Sequence, residues 1–156
     1  MKNEGKKFEE DFKKSVPDDV YFLRLQDAGG WSNADNTRFT VSNICDAIMF
    51  KVPFLHMVEL KSHKGKSIPF SCIREKQLLK LAEADMYSGV VAWFIFNFRS
   101  VESTYAVRAS KLIIFKETTE RKSIPLDFCA ANGIYIPAAK KRTRWTYLLE
   151  SILGDY

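Results

Sequence analysis

Residues 43–61, N-I-C-D-A-I-M-F-K-V-P-F-L-H-M-V-E-L-K, constrain this chain more than any other stretch. Ile44–Phe50 and Leu55–Lys61 read as two short apolar strands, and Pro53 in the intervening Lys51–Phe54 segment breaks them. A tight turn centred between Val52 and Pro53 sets Asp46 directly opposite Glu59. Two carboxylates opposed across a ladder repel, and neither belongs in an apolar strand without a partner. A divalent cation between them removes both objections. Strand alternation then puts Lys61 on the same face as Glu59, one repeat further on. Alone, E-x-K is ordinarily a surface ion pair of small worth. With Asp46 in register and embedded in apolar residues, it fits a metal-dependent phosphodiester-cleaving site.

With 156 residues the chain reads as one domain, long enough to build a core without disulfide staples. A formal charge of +5 suits a polyanionic partner without demanding one. Cys45, Cys72 and Cys129 are odd in number and form no C-x-x-C pair, which favours a reducing compartment over a disulfide framework or zinc knuckle. The opening M-K-N-E-G-K-K lacks the apolar segment of a signal peptide. The longest apolar run, Val90–Phe98, is too short to span a bilayer. The expectation is a soluble cytoplasmic protein with no membrane partner.

Along the chain, Glu4–Ser15 predicts a helix stopped by Pro17, and Val20–Leu25 a first strand. Gln26–Asn43 reads as a loop or short protruding stalk carrying Trp31, Arg38 and Phe39, with wedging, dimer packing or core burial open for the two aromatics. Ser62–Ser71 is a basic connection in which His63, Lys64 and Lys66 are candidate phosphate contacts. Ile73–Tyr87 predicts a helix, Val90–Phe98 a buried central strand with Phe94, Phe96 and Phe98 in the core, and Thr104–Ala109 a returning strand. Lys116–Ser123 reads as a charged loop. Lys140, Lys141, Arg142 and Arg144 form a second basic run, and Trp145–Leu153 predicts a closing helix. His56 and His63 have no paired ligand spacing. The order predicts an α/β fold, a mixed central sheet flanked by helices.

These residues resemble the PD-(D/E)xK nuclease superfamily, and more narrowly the RecU-type Holliday-junction resolvases. The resemblance is carried by G-K-K-F-E-E-D-F at Gly5–Phe12, then Asp46, then E-L-K at Glu59–Lys61. It continues through K-S-I-P-F, I-R-E-K-Q at Ile73–Gln77, the strand V-V-A-W-F-I-F, and E-R-K-S-I at Glu120–Ile124. It implies a restriction-endonuclease-like fold. It implies that Asp46 and Glu59, with the backbone carbonyl of Leu60, bind Mg2+, for which Mn2+ substitutes. Lys61 then orients or deprotonates the attacking water, Gln77 stands against metal-bound water, and Glu9 completes the outer shell. The chain departs from the family pattern in having Ile44-Cys45 where a hydroxyl residue precedes the aspartate. Its Gln26–Asn43 segment is also shorter than the family's basic stalk, with Arg38 its one basic residue.

The resemblance therefore implies a structure-selective DNA endonuclease that cuts four-way junctions as a homodimer, in a bacterial or phage-infected cell. Two alternatives stand beside it: another nuclease of the superfamily, of repair or restriction type, and a branched-DNA binding module without catalysis. All the expected metal and lysine positions are filled, which weighs against the second.

Overall fold

The computed structural model describes residues 3–26 and 43–154. Most of the predicted stalk, with Trp31, Arg38 and Phe39, lies outside the described residues. Among the described residues, six strands form the central sheet: β1 (Tyr21–Arg24), β2 (Ala47–Lys51), β3 (Phe54–His63), β5 (Val90–Phe98), β6 (Ser103–Arg108) and β8 (Ile134–Tyr135), side by side in that order. Only β3 and β5 run parallel, and the crossover between them passes through β4 (Ser67–Pro69) and helix α2 (Glu75–Ala84). The sheet is thus mixed, as expected.

The predicted turn is present. Lys51 faces Phe54 across Val52 and Pro53, and the register continues through Phe50 opposite Leu55 to Ala47 opposite Val58. Asp46 is the next residue outward and stays attached, its N–H donating to the Val58 carbonyl at 3.0 Å.

Alternation along β5 builds both halves of the core. Val91, Trp93 and Ile95 face a layer made by α1 (Glu4–Ser15), the hairpin β9 (Ala138–Lys141) with β10 (Arg144–Tyr147), and the short α5 (Glu150–Leu153). Ala92, Phe94, Phe96 and Phe98 face α2, α3 (Ala109–Thr118) and α4 (Leu126–Asn132). A strand covered on both faces reads as a continuous apolar run, which is what V-V-A-W-F-I-F is. Helix α1 begins where Asn3 Oδ1 accepts from the N–H groups of Gly5 and Lys6, a side-chain N-cap. Its Phe8 and Phe12 bury one face.

Two segments differ from expectation. Lys116–Ser123 is not one loop: the first three of its residues close α3, and Ser123 opens β7 (Ser123–Pro125). β7 pairs antiparallel with β4, S-I-P against S-I-P, burying Ile68 on Ile124. Trp145–Leu153 is not one helix either. Arg142 adopts a left-handed backbone conformation (φ 58) that turns the chain back, so Arg144–Tyr147 pairs with Ala138–Lys141 and only Glu150–Leu153 is helical. The side chains of Asp11 and Ser15 accept from the N–H groups of Trp145 and Tyr147, fastening this hairpin to α1. Among the described residues no helix is long and apolar enough to cross a membrane.

Candidate active site

The candidate site forms where β2 begins beside the middle of β3. Leu60 points into the α1 layer, so its neighbours Glu59 and Lys61 point to the α2 side, against Phe94 and Phe96 of β5. Glu59 is 2% exposed. Its Oε1 lies 2.7 Å from Lys61 Nζ. Its Oε2 accepts from Gln77 Nε2 at 3.4 Å, and the same amide group also donates to the Asn43 carbonyl at 3.3 Å. The Asp46 carboxylate accepts from Leu60 N–H at 2.7 Å. The strand alternation, the two-residue turn and the first turns of α2 together bring Asp46, Glu59, Leu60, Lys61 and Gln77 to one place.

The electrostatics are unusual for a surface pair. Burial pushes the Glu59 carboxyl up to about 7, and the Asp46 charge adds to the rise, while Lys61 and Arg74 oppose it. Burial, with the charges of Glu59 and Asp46, raises the neighbouring Cys45 thiol to about 12, so it is a packed thiol and not a nucleophile. Gln77 Oε1 is buried with no hydrogen-bond partner among the described residues. An unpaired buried acceptor costs about 1–3 kcal/mol, so an ordered water or metal-bound water that donates to it is the natural complement. The two carboxylates and the buried amide oxygen make an all-oxygen donor set, and such a set fits a hard cation of the Mg2+ or Mn2+ kind.

Glu9 stands apart from this pair. It lines a cleft of about 330 Å3 that also touches Asp46 and Leu60, but its carboxylate is ion-paired with Arg24 at 3.0 Å. Among the described residues no group of three or more acids, histidines or cysteines is arranged to hold a metal. His63 is half-buried at the end of β3, and Lys64 and Lys66 are exposed beyond it. The Lys64 and Lys66 carbonyls are tied to Ser100 and Leu126, which fixes the backbone of this basic turn. Arg38 lies outside the described residues. The second basic run is partly occupied: Lys140 pairs with Glu102, and Arg144 with Glu10 and Asp11.

His56 is fully buried and structural. Trp93 Nε1 donates to its Nδ1 at 3.1 Å, and burial, with the Arg108 charge, lowers its imidazole to about 4. Two contributors escaped the sequence reading. Asn43 lends only a backbone carbonyl, which carries no side-chain signal. Arg74 precedes α2, three residues before Gln77, a spacing that places it one turn away on the same helix side. That offset was available in I-R-E-K-Q.

The architecture is restriction-endonuclease-like. The Holliday junction resolvase Hjc of Archaeoglobus fulgidus superposes with a TM-score of 0.51 over 75% of this chain and 83% of its own, at 14% identity, a likeness of fold alone. The model of the RecU family, recombination protein U, matches residues 50–149, and the chain belongs to that family. The match contains Glu59, Lys61 and Gln77 and begins just after Asp46. The chain is also 30% identical over 169 aligned positions to the SPbeta prophage-derived uncharacterized protein YotM of Bacillus subtilis (strain 168), spanning 98% of this chain and 86% of that one.

Proposed function

We propose that this protein is a Mg2+-dependent endonuclease that cleaves four-way DNA junctions by paired phosphodiester hydrolysis, acting as a homodimer. The observation that carries the reading is the acid pair. Glu59, buried and raised toward neutrality beside Asp46, is costly without a cation and well suited to one. Family membership and the resolvase-like fold support the same reading.

Asp46, Glu59 and the Leu60 carbonyl would hold the cation, with Gln77 Oε1 receiving a hydrogen bond from water beside it. The cation's contribution is to acidify water and offset charge on the phosphate. The rest is done by the chain. Leu60 N–H fixes the Asp46 carboxylate, and Gln77 Nε2 fixes the orientation of Glu59. Lys61 reaches the same carboxylate and would orient the attacking water, as base or as a positive group meeting the charge that develops on phosphate oxygen. Water oxygen would then bond to phosphorus as one P–O ester bond breaks, its proton passing to solvent or to Lys61 in its neutral form, while the departing ester oxygen takes a proton from solvent.

Two symmetric cuts across a junction need two equivalent active sites in fixed relation, which a two-fold dimer supplies. The test is one assay: purified protein with Mg2+ on four-way junction, linear duplex and single-stranded DNA. Symmetric cutting of the junction supports the proposal. Preference for linear duplex would mark a repair or restriction type of nuclease, and binding without cutting would mark a non-catalytic module.

A further inference from the structure

At the α2 end nearest Glu59 the surface carries a second cationic feature that the chemistry above does not use. A groove of about 480 Å3 is lined by Pro69, Phe70 and Ser71 on one side and by Lys116, Thr119, Arg121 and Lys122 on the other. Among the described residues no carboxylate lines it, and Glu117 and Glu120, in the same segment, are exposed. Its walls are built, not incidental. Phe70 N–H donates to the Lys122 carbonyl at 3.1 Å, and the β4–β7 ladder continues from that bond through Ser123 and Ile124. The Phe70 ring packs near Phe115, which stacks on Phe128 at 3.9 Å.

The fold sets this groove at the same end of the molecule as the acid pair. Asp85, just past the C-terminus of α2, accepts from Arg108 and from Ser110 N–H at the start of α3, so the two helices run antiparallel. The end of α3 therefore lies beside the start of α2, where Gln77 meets Glu59. Arg74 lies between Ser71 and Gln77 along the chain. It is exposed, its charge is felt at Glu59, and it follows Ser71 by three residues, which the backbone spans in at most about 10 Å. A nucleic-acid strand rises about 3.4 Å per nucleotide, so a few nucleotides bridge the acid pair and the groove.

We propose that this groove holds the phosphates of one strand of the DNA substrate a few nucleotides from the cleaved bond, with Arg74 linking it to the Glu59–Lys61 pair. Lys116, Arg121 and Lys122 neutralise successive phosphates, and the Ser71 and Thr119 hydroxyls donate to their oxygens. The proposal rests on the nuclease reading and assigns that site a direction in which its strand leaves.

The test is binding of four-way junction DNA in EDTA, measured by fluorescence anisotropy over a series of salt concentrations. Each lost phosphate contact lowers the slope of log affinity against log salt by roughly 0.7–0.9. K116Q/R121Q/K122Q is therefore expected to lower the slope by about two to three. K140Q/K141Q/R142Q removes equal charge from the hairpin on the α1 layer and should leave the slope unchanged. Equal slopes for parent and groove variant, or equal losses in both variants, would overturn the groove. Parent protein that fails to bind junction DNA would overturn the nuclease reading along with it, a distinct result. Thermal melting checks that the groove variant folds. If it does not, R121Q and K122Q singly, both at exposed positions, must each lower the slope by about one or the proposal fails.

Discussion

The Asp46 carboxylate accepts a 2.7 Å hydrogen bond from the backbone N–H of Leu60, the residue between Glu59 and Lys61. One acid of the pair is thereby locked to the backbone that carries the other acid and the lysine. The site's geometry is inherited from a strand ladder rather than from a mobile loop.

Asp46→Asn keeps an oxygen that can accept from Leu60 and removes the negative charge. Cleavage should be abolished while junction binding is retained or tightened, because a charge facing phosphate is gone. Anisotropy and gel cleavage assays on the same preparation check this. Loss of folding would instead mark Asp46 as structural.

Lys61→Ala should lower turnover on the order of 10²–10³-fold, the range for removing one transition-state donor, with metal affinity largely intact. Single-turnover cleavage beside a Mg2+ titration separates the two. Near-normal cleavage would reduce Lys61 to an ion-pair partner of Glu59.

Glu59 links stability to pH. Its folded value of about 7 exceeds the ordinary 4.5, so between these the folded state binds more protons than the unfolded. Metal-free protein should therefore lose stability from this group as pH rises from 4.5 to 7. Melting temperatures of parent and Glu59→Gln across that range, in EDTA, should converge at the acid end and diverge toward 7 in favour of the variant.

His56 acts with the opposite sign. Its folded value of about 4 lies below the ordinary 6.5, so the stability it contributes is full above 6.5 and is lost as pH falls toward 4. The two windows overlap, so the parent's own profile is partly flattened. His56→Asn should remove the acid-side loss, visible in the difference between parent and variant denaturant midpoints.

Asp85 is held by Arg108, Ser110 N–H and Ala92 N–H. Burial pushes its carboxyl up, but these donors together bring it below the usual range. Asp85→Ala strands Arg108 over the Trp93 ring and should cost about 3–5 kcal/mol in urea unfolding.

Much of this was legible in the sequence, for identifiable reasons. Pro53 announced a short turn, whose centre dictated the register that sets Asp46 beside Glu59, and period-2 alternation then put Lys61 on the face of Glu59. The uninterrupted apolar run Val90–Phe96, bounded by Ser88-Gly89, read as a strand covered on both faces. Helix α3 escaped because β6 passes directly into it at Arg108–Ala109, without the glycine, proline or side-chain cap that marks a helix start. The closing hairpin escaped for two reasons. Trp145, Leu148, Leu149 and Ile152 lie at helical spacing, and the turn at Arg142 takes a left-handed conformation without a glycine to signal it. Tertiary bonds from Asp11 and Ser15 of α1 decide that segment, and no local window contains them.

The most direct test of the account is cleavage of a four-way junction with end label on each strand in turn, in Mg2+ and in EDTA, by the parent and by Asp46→Asn. The account predicts paired cuts at symmetric positions in Mg2+, none in EDTA, and none with Asp46→Asn although it still binds. Equal cutting in EDTA, or by Asp46→Asn, would contradict it.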